Sequence, residues 1–184
     1  MLLKARKVAS MNRKAEDELH AIHEAAHAVM AARMGWIVSG VSFGSNQDYG
    51  YVDAEAPRWS RRADVLIALA GHAADLRMAR LHQRYRDYGD PYQGVERDLT
   101  IVFELLAEAG RAESIFPRFV RALDRADSIL AERRTWAAVR KVAAVLLRQG
   151  KVTADEFASL ATNLGRRRPG RQPKTRKAGR RRYR

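Results

Sequence analysis

The sequence contains no cysteine. Disulfides and thiolate metal sites are therefore excluded, and any metal must be held by imidazole and carboxylate, which fits a reducing cytosol. Long apolar runs are also missing. The uncharged run Val65 to Gly71 is far shorter than the roughly 20 residues a spanning helix needs, and the start, MLLKARKVASMNRKAEDE, is too charged for a secretory leader. The expectation is a soluble, cytoplasmic chain with no membrane insertion. No G-x-x-x-x-G-K-[ST] phosphate loop occurs, so a nucleotide-driven motor is not expected. Acid is missing from the last stretch: Arg166 to Arg184 holds eleven Lys or Arg and no Asp or Glu, which leaves only +3 of the net +14 for the rest. With prolines, glycines and little apolar surface, residues 165–184 are expected to be a disordered basic tail. Such a tail attracts nucleic acid or acidic surfaces non-specifically, with only Tyr183 available to stack on a base.

What remains is enough for one domain: 184 residues, 46% of them apolar. Residues 1–14 read as a loosely ordered basic arm and 15–164 as the folded domain. The helix expected from about Ala15 to Met34 carries His23, Glu24 and His27 in the pattern H-E-x-x-H, closed by Gly35. Residues four apart lie one above the other on a helix, so two imidazoles can face one metal with Glu24 beside them. Zinc suits two neutral imidazoles and a third protein ligand, with a fourth position open to water whose proton a carboxylate can take. Leu19, Ile22, Ala26, Val29, Met30 and Met34 supply the buried side, and Glu24 is the single charge between Leu19 and Arg33. A core helix with two satisfied histidines would look similar, yet chance assembly from this composition yields the full pattern in roughly one chain in a hundred.

Trp36 to Phe43 is β-branched and aromatic, GSNQDYG supplies turn residues, and Tyr51 to Ala54 is extended again, so a hairpin is predicted. Its free edge could pair with an extended polypeptide through main-chain hydrogen bonds, or could be purely structural. Ser60 to Arg86 has apolar residues at helical spacing and a narrow centre at Gly71, Ala73 and Ala74, with His72 and Asp75 on one face as supports for the metal ligands. From Val95 another amphipathic helix begins, with Asp98 in its opening turns. Asp98 is a candidate third ligand, although a lone Asp there is more often an ordinary favourable charge at a positive helix end. Helices are expected at Phe116 to Glu132 and Thr135 to Gln149, then a short one opened by the capping box Thr153 and Glu156.

In order, HEAAHAVMAA, VSFGSNQDYGYVDA, LAGHAADLRMA, GVERDLTIVFELL and the closing LDRADSILAERRTWAAVRKVAAVLLRQGKVTADEF resemble the peptidase domain of the FtsH-type zinc metalloproteases, from about Glu16 to Leu160. The resemblance implies a mainly α, zincin-like helical peptidase domain with a small β element. It makes His23, His27 and Asp98 zinc ligands, Glu24 the general base, Asp75 a carboxylate behind the ligands, and Tyr49, Gly50, Tyr51, Val52 and Asp53 the substrate hairpin. It further implies polypeptide substrates and homo-oligomers, which are hexamers in that family. Ala26 stands where the family has glycine, Asp75 is shorter than its usual glutamate, and no motor or membrane helix accompanies the domain here. Arg33 excludes the zincin type with a third histidine six residues after the second. The expected activity is thus a zinc-dependent endopeptidase for unfolded or flexible chains, without its own ATPase. The alternative is a non-catalytic zinc-, nucleic-acid- or partner-binding module on the same fold.

Overall fold

No glycine or proline interrupts Met1 to Met34, and one helix, α1 (Leu2–Arg33), uses nearly all of that stretch. A computed structural model describes the chain at residues 2–42, 50–57, 60–82, 85, 93–108, 115–162 and 164, and at 2–13 and 93–95 it describes the backbone alone. The helix expected from about Ala15 thus begins at Leu2: the Leu, Ala, Lys, Arg and Met residues before Ala15 are good helix formers, and nothing in them stops the helix. The expected basic tail and Tyr49 lie outside the described residues.

The end of α1 is sharp. Gly35 takes the left-handed conformation at φ 86°, its N–H reaches the Ala32 carbonyl at 3.1 Å, and the Trp36 N–H reaches the Ala31 carbonyl at 2.9 Å. This double closure is the Schellman arrangement, and it turns the chain straight into a strand. From Leu19 to Ala31 the helix is buried on almost every side, so it is the centre of the molecule rather than one of its walls. Alanines at 21, 25, 26, 28 and 31 keep it thin enough for neighbours to approach closely.

The strands β1 (Ile37–Ser42), β2 (Tyr51–Glu55) and β3 (Lys151–Thr153) form an antiparallel sheet in the order β2-β1-β3. Val38 and Val41 are both buried although strict alternation would place them on opposite faces. The register slips between Val38 and Gly40, where an extra residue bulges out and returns Val41 to the core side. The two strands pair antiparallel as expected, while the predicted turn residues Gly44 to Tyr49 lie outside the described residues. The third strand is an addition, because three residues are too few to carry a strand pattern, and Val41 pairs with the buried Val152 only through the fold.

Five more helices complete the described structure: α2 (Arg61–Leu81), α3 (Gln93–Ala107), α4 (Ile115–Ala131), α5 (Arg133–Gln149) and α6 (Ala154–Leu160). The predicted helix at Ser60–Arg86 ends five residues early, because His82 turns extended at φ −138° and Tyr85 then enters the core. Helices α2 and α5 pack on α1, while α3 and α4 pack on α2. The Arg33 guanidinium ties the end of α1 to Glu132, at the α4–α5 junction, at 2.8 Å. At the other end of α5, Gly150 adopts φ 72°, and Thr153 and Glu156 form the expected capping box on α6. No helix among the described residues is long and apolar enough to cross a membrane.

Candidate metal centre

Helical spacing puts His23 and His27 on the side of α1 that faces α2, with ring centroids 4.7 Å apart. Their approach depends on Gly71. A β-carbon there would collide with Cε1 and Nε2 of His23 and with Nε2 of His27, so glycine is what allows α2 to cross at the two rings. Gly71 also lies one turn beyond Ile67, and its missing side chain leaves the Ile67 carbonyl open to accept a hydrogen bond from His27 Nδ1 at 2.7 Å. Asp75, one turn further along, accepts from His23 Nδ1 at 2.7 Å.

These two hydrogen bonds fix the chemistry of both rings. A neutral imidazole that donates from Nδ1 carries its lone pair on Nε2. The two Nε2 atoms lie 3.0 Å apart, and Asp98 Oδ2, from α3, lies 3.1 Å from His23 Nε2 and 3.0 Å from His27 Nε2. With both rings neutral, three lone pairs would converge with no proton among them, which is unfavourable unless a cation, a proton or a metal ion, sits between them. His23, His27 and Asp98 form the group that could hold a metal ion. Neighbouring donors around a tetrahedral ion with bonds of about 2.0–2.1 Å lie roughly 3.3–3.4 Å apart, so the observed triangle need open by only a few tenths of an ångström. The residues present fit a metal.

The electrostatics agree with this. Burial alone would lower the His23 imidazole, but the charge and hydrogen bond of Asp75, with help from Asp98, outweigh it and push His23 up to about 10. Without a metal, then, a proton is drawn to the same place. Burial also works against the Asp98 carboxylate, yet hydrogen bonds from both histidines hold it well below the usual carboxylate range. Glu24, beside the triad, is pushed above its ordinary value by burial, an effect that the two histidines partly offset.

A cleft of about 370 Å³ opens onto the triad. Glu24, Gly50, Tyr51 and Val52 line it together with His23, His27 and Asp98. Gly50 lies against the Glu24 side chain so closely that a β-carbon would strike its Cγ, Cδ and Oε1. The start of β2 is thus laid directly over the carboxylate. Asp53 is on the same strand, with its side exposed, and does not line the cleft. His72 is half-buried, and burial lowers its imidazole; none of the hydrogen bonds among the described residues joins it to Asp75 or to the triad.

Six lining residues are not among the site residues read from the sequence: Trp36, Asp64, Ile67, Ala68, Arg97 and Ile101. Trp36 follows the glycine that closes α1, Arg97 precedes the ligand candidate Asp98, and Asp64 lies two turns before Gly71 on the same side of α2. Those spacings are the signals that point to them once the metal helix is known. Compared with known proteins, the chain matches no family model and none of the curated proteins significantly.

Proposed function

We propose that this chain is a zinc-dependent metalloendopeptidase of the FtsH-like, zincin type, acting on unfolded or flexible polypeptide without an ATPase of its own. The observation that carries the reading is the position of Glu24. A purely structural zinc site fills all four positions and has no use for a further carboxylate, whereas Glu24 lines the open cleft without belonging to the ligand group. Zinc, the ion best suited to two imidazoles and one carboxylate in a cysteine-free chain, would supply Lewis-acid polarisation of the scissile carbonyl and of the attacking water.

The rest follows from the chain's own groups. Asp75 and the Ile67 carbonyl hold the His23 and His27 rings in the orientation that exposes Nε2. Glu24 takes the proton from the water and delivers it to the leaving amine, and its raised affinity for protons brings it nearer to neutral pH, where both transfers are efficient. Among the described residues the β2 strand is at an edge of the sheet, paired with β1 on one side only. An extended substrate added along that edge would be held by main-chain hydrogen bonds, with modest demand on its sequence, and led past Gly50 to the base.

The test is hydrolysis of casein by protein stripped with a chelator and then reloaded. The reading expects activity to vanish on stripping and to return with about one equivalent of zinc. Casein cleavage that persists in fully stripped protein, or that never appears with zinc bound, would overturn it.

A further inference from the structure

A second cavity, of about 500 Å³, lies between α2, α3 and α4 and shares no lining residue with the metal cleft. Five arginines surround it: Arg61 and Arg62 from the first turn of α2, and Arg118, Arg121 and Arg125 from α4. Among the described residues no acidic side chain lines it. Its floor is aliphatic, with Val65, Leu66 and Leu106 all buried. Two of the cations have work within the fold. Arg61 pairs with Glu108 at 3.4 Å, and Arg118 donates to the Leu106 carbonyl at 2.9 Å, closing the end of α3. Arg62, Arg121 and Arg125, whose side chains are exposed, form no hydrogen bond or ion pair with other described residues and so remain available to a ligand at the cavity mouth.

A solvated cationic helix face needs no apolar floor, and an apolar pocket needs no ring of guanidinium groups. The combination fits one class of ligand. We infer that this cavity is a binding site for a small anion, a phosphate or carboxylate, carried on an aliphatic body. Guanidinium forks grip such a head group bidentately, and the aliphatic body covers the valine and leucine floor. The volume lies within the range of small-molecule sites, roughly 300–1,000 Å³. Among the described lining residues none is aromatic, so they offer no stacking surface for a nucleobase and favour an aliphatic body.

The experiment is calorimetric titration of the full-length, zinc-loaded protein with n-octyl phosphate below its micelle-forming concentration, with inorganic phosphate and octanoate run in parallel. Octyl phosphate or octanoate should bind saturably at one site, at least about tenfold tighter than inorganic phosphate, because only the amphiphiles reach the floor. Octanoate against octyl phosphate separates a carboxylate head from a phosphate head, and either one upholds the site. The pair R121Q/R125Q, and R62Q on the other helix, should each weaken that binding by at least about tenfold while the protein stays folded and keeps its zinc. The control R140Q/R148Q removes the same charge from the exposed side of α5 and should leave affinity unchanged. Equal affinity for inorganic phosphate and the amphiphiles, equal loss in the control, or no loss in the cavity variants would overturn the inference, since the basic tail alone would then account for anion binding.

Discussion

His23 and His27 differ from ordinary core histidines in where their protons are held. Each donates from Nδ1, to Asp75 and to the Ile67 carbonyl, so each turns Nε2 toward Asp98, where it can bind a proton or a metal ion. Changing His23, His27 or Asp98 to alanine should therefore reduce metal binding by at least about a hundredfold, whereas Glu24→Gln should keep it, as measured by metal content after dialysis against a weak chelator. An Asp98→Ala protein that held metal as tightly as the wild type would remove Asp98 from the ligand set. Protons also give a prediction with a definite sign. In the metal-free protein His23 is raised from 6.5 to about 10, so the stability it contributes is complete below the lower value and is lost as pH rises through the upper one. A bound metal replaces that proton and no longer competes with it at high pH. The gap in melting temperature between loaded and chelated protein should widen between about pH 7 and about pH 9.5; a constant or narrowing gap would contradict this. At this scale the histidine pair was legible, because four-residue spacing on a helix is a local property. Asp98 was legible only as one candidate, since an aspartate in the first turns of a helix has an ordinary role there, and it is the packing of α3 on α2, and of α2 on α1, that brings it within 3.1 Å of a residue 75 positions away.

Among the elements, α2 serves both sites: one side carries Ile67, Gly71 and Asp75 to the metal centre, and the other carries Val65 and Leu66 to the arginine-lined cavity. Its small-residue centre was readable from sequence, but its purpose was not, because the collision that a β-carbon at Gly71 would cause is with two imidazoles of another helix. Helix boundaries closed by αL glycines, Gly35 and Gly150, were readable for the complementary reason that the signal is local. Strand β3 escaped notice since three residues between two helices have no periodicity of their own, and its pairing with Gly40–Ser42 is a product of where α5 ends. That dependence can be tested. Gly150→Ala forces an L-residue into φ 72° and should cost about 1–2 kcal/mol of stability, read by denaturant unfolding, while leaving metal content unchanged. A neutral substitution would mean that the turn into β3 does not rely on the left-handed glycine.

Taken as one molecule, the chain surrounds α1 with helices on one flank and a three-stranded sheet on the other, and the metal cleft opens where β2 meets α2 and α3. Gly50 is laid over Glu24 beside the β2 edge, so on the proposed function a substrate would enter along that edge and would have to arrive already extended. Casein should accordingly be cut without ATP and a tightly folded domain should not, in a gel assay with both substrates present; comparable cleavage of the two would refute access along the edge strand. The central claim is that Glu24 performs chemistry beside a metal it does not bind. Its most direct test is the rate of casein cleavage by Glu24→Gln at zinc content equal to that of the wild type. The account predicts a loss of roughly 10²–10⁴-fold, the usual range for removing a general acid–base group, with zinc still bound. Turnover within a factor of about two of wild type at equal zinc would contradict it, because a carboxylate that can be neutralised without effect is not the base.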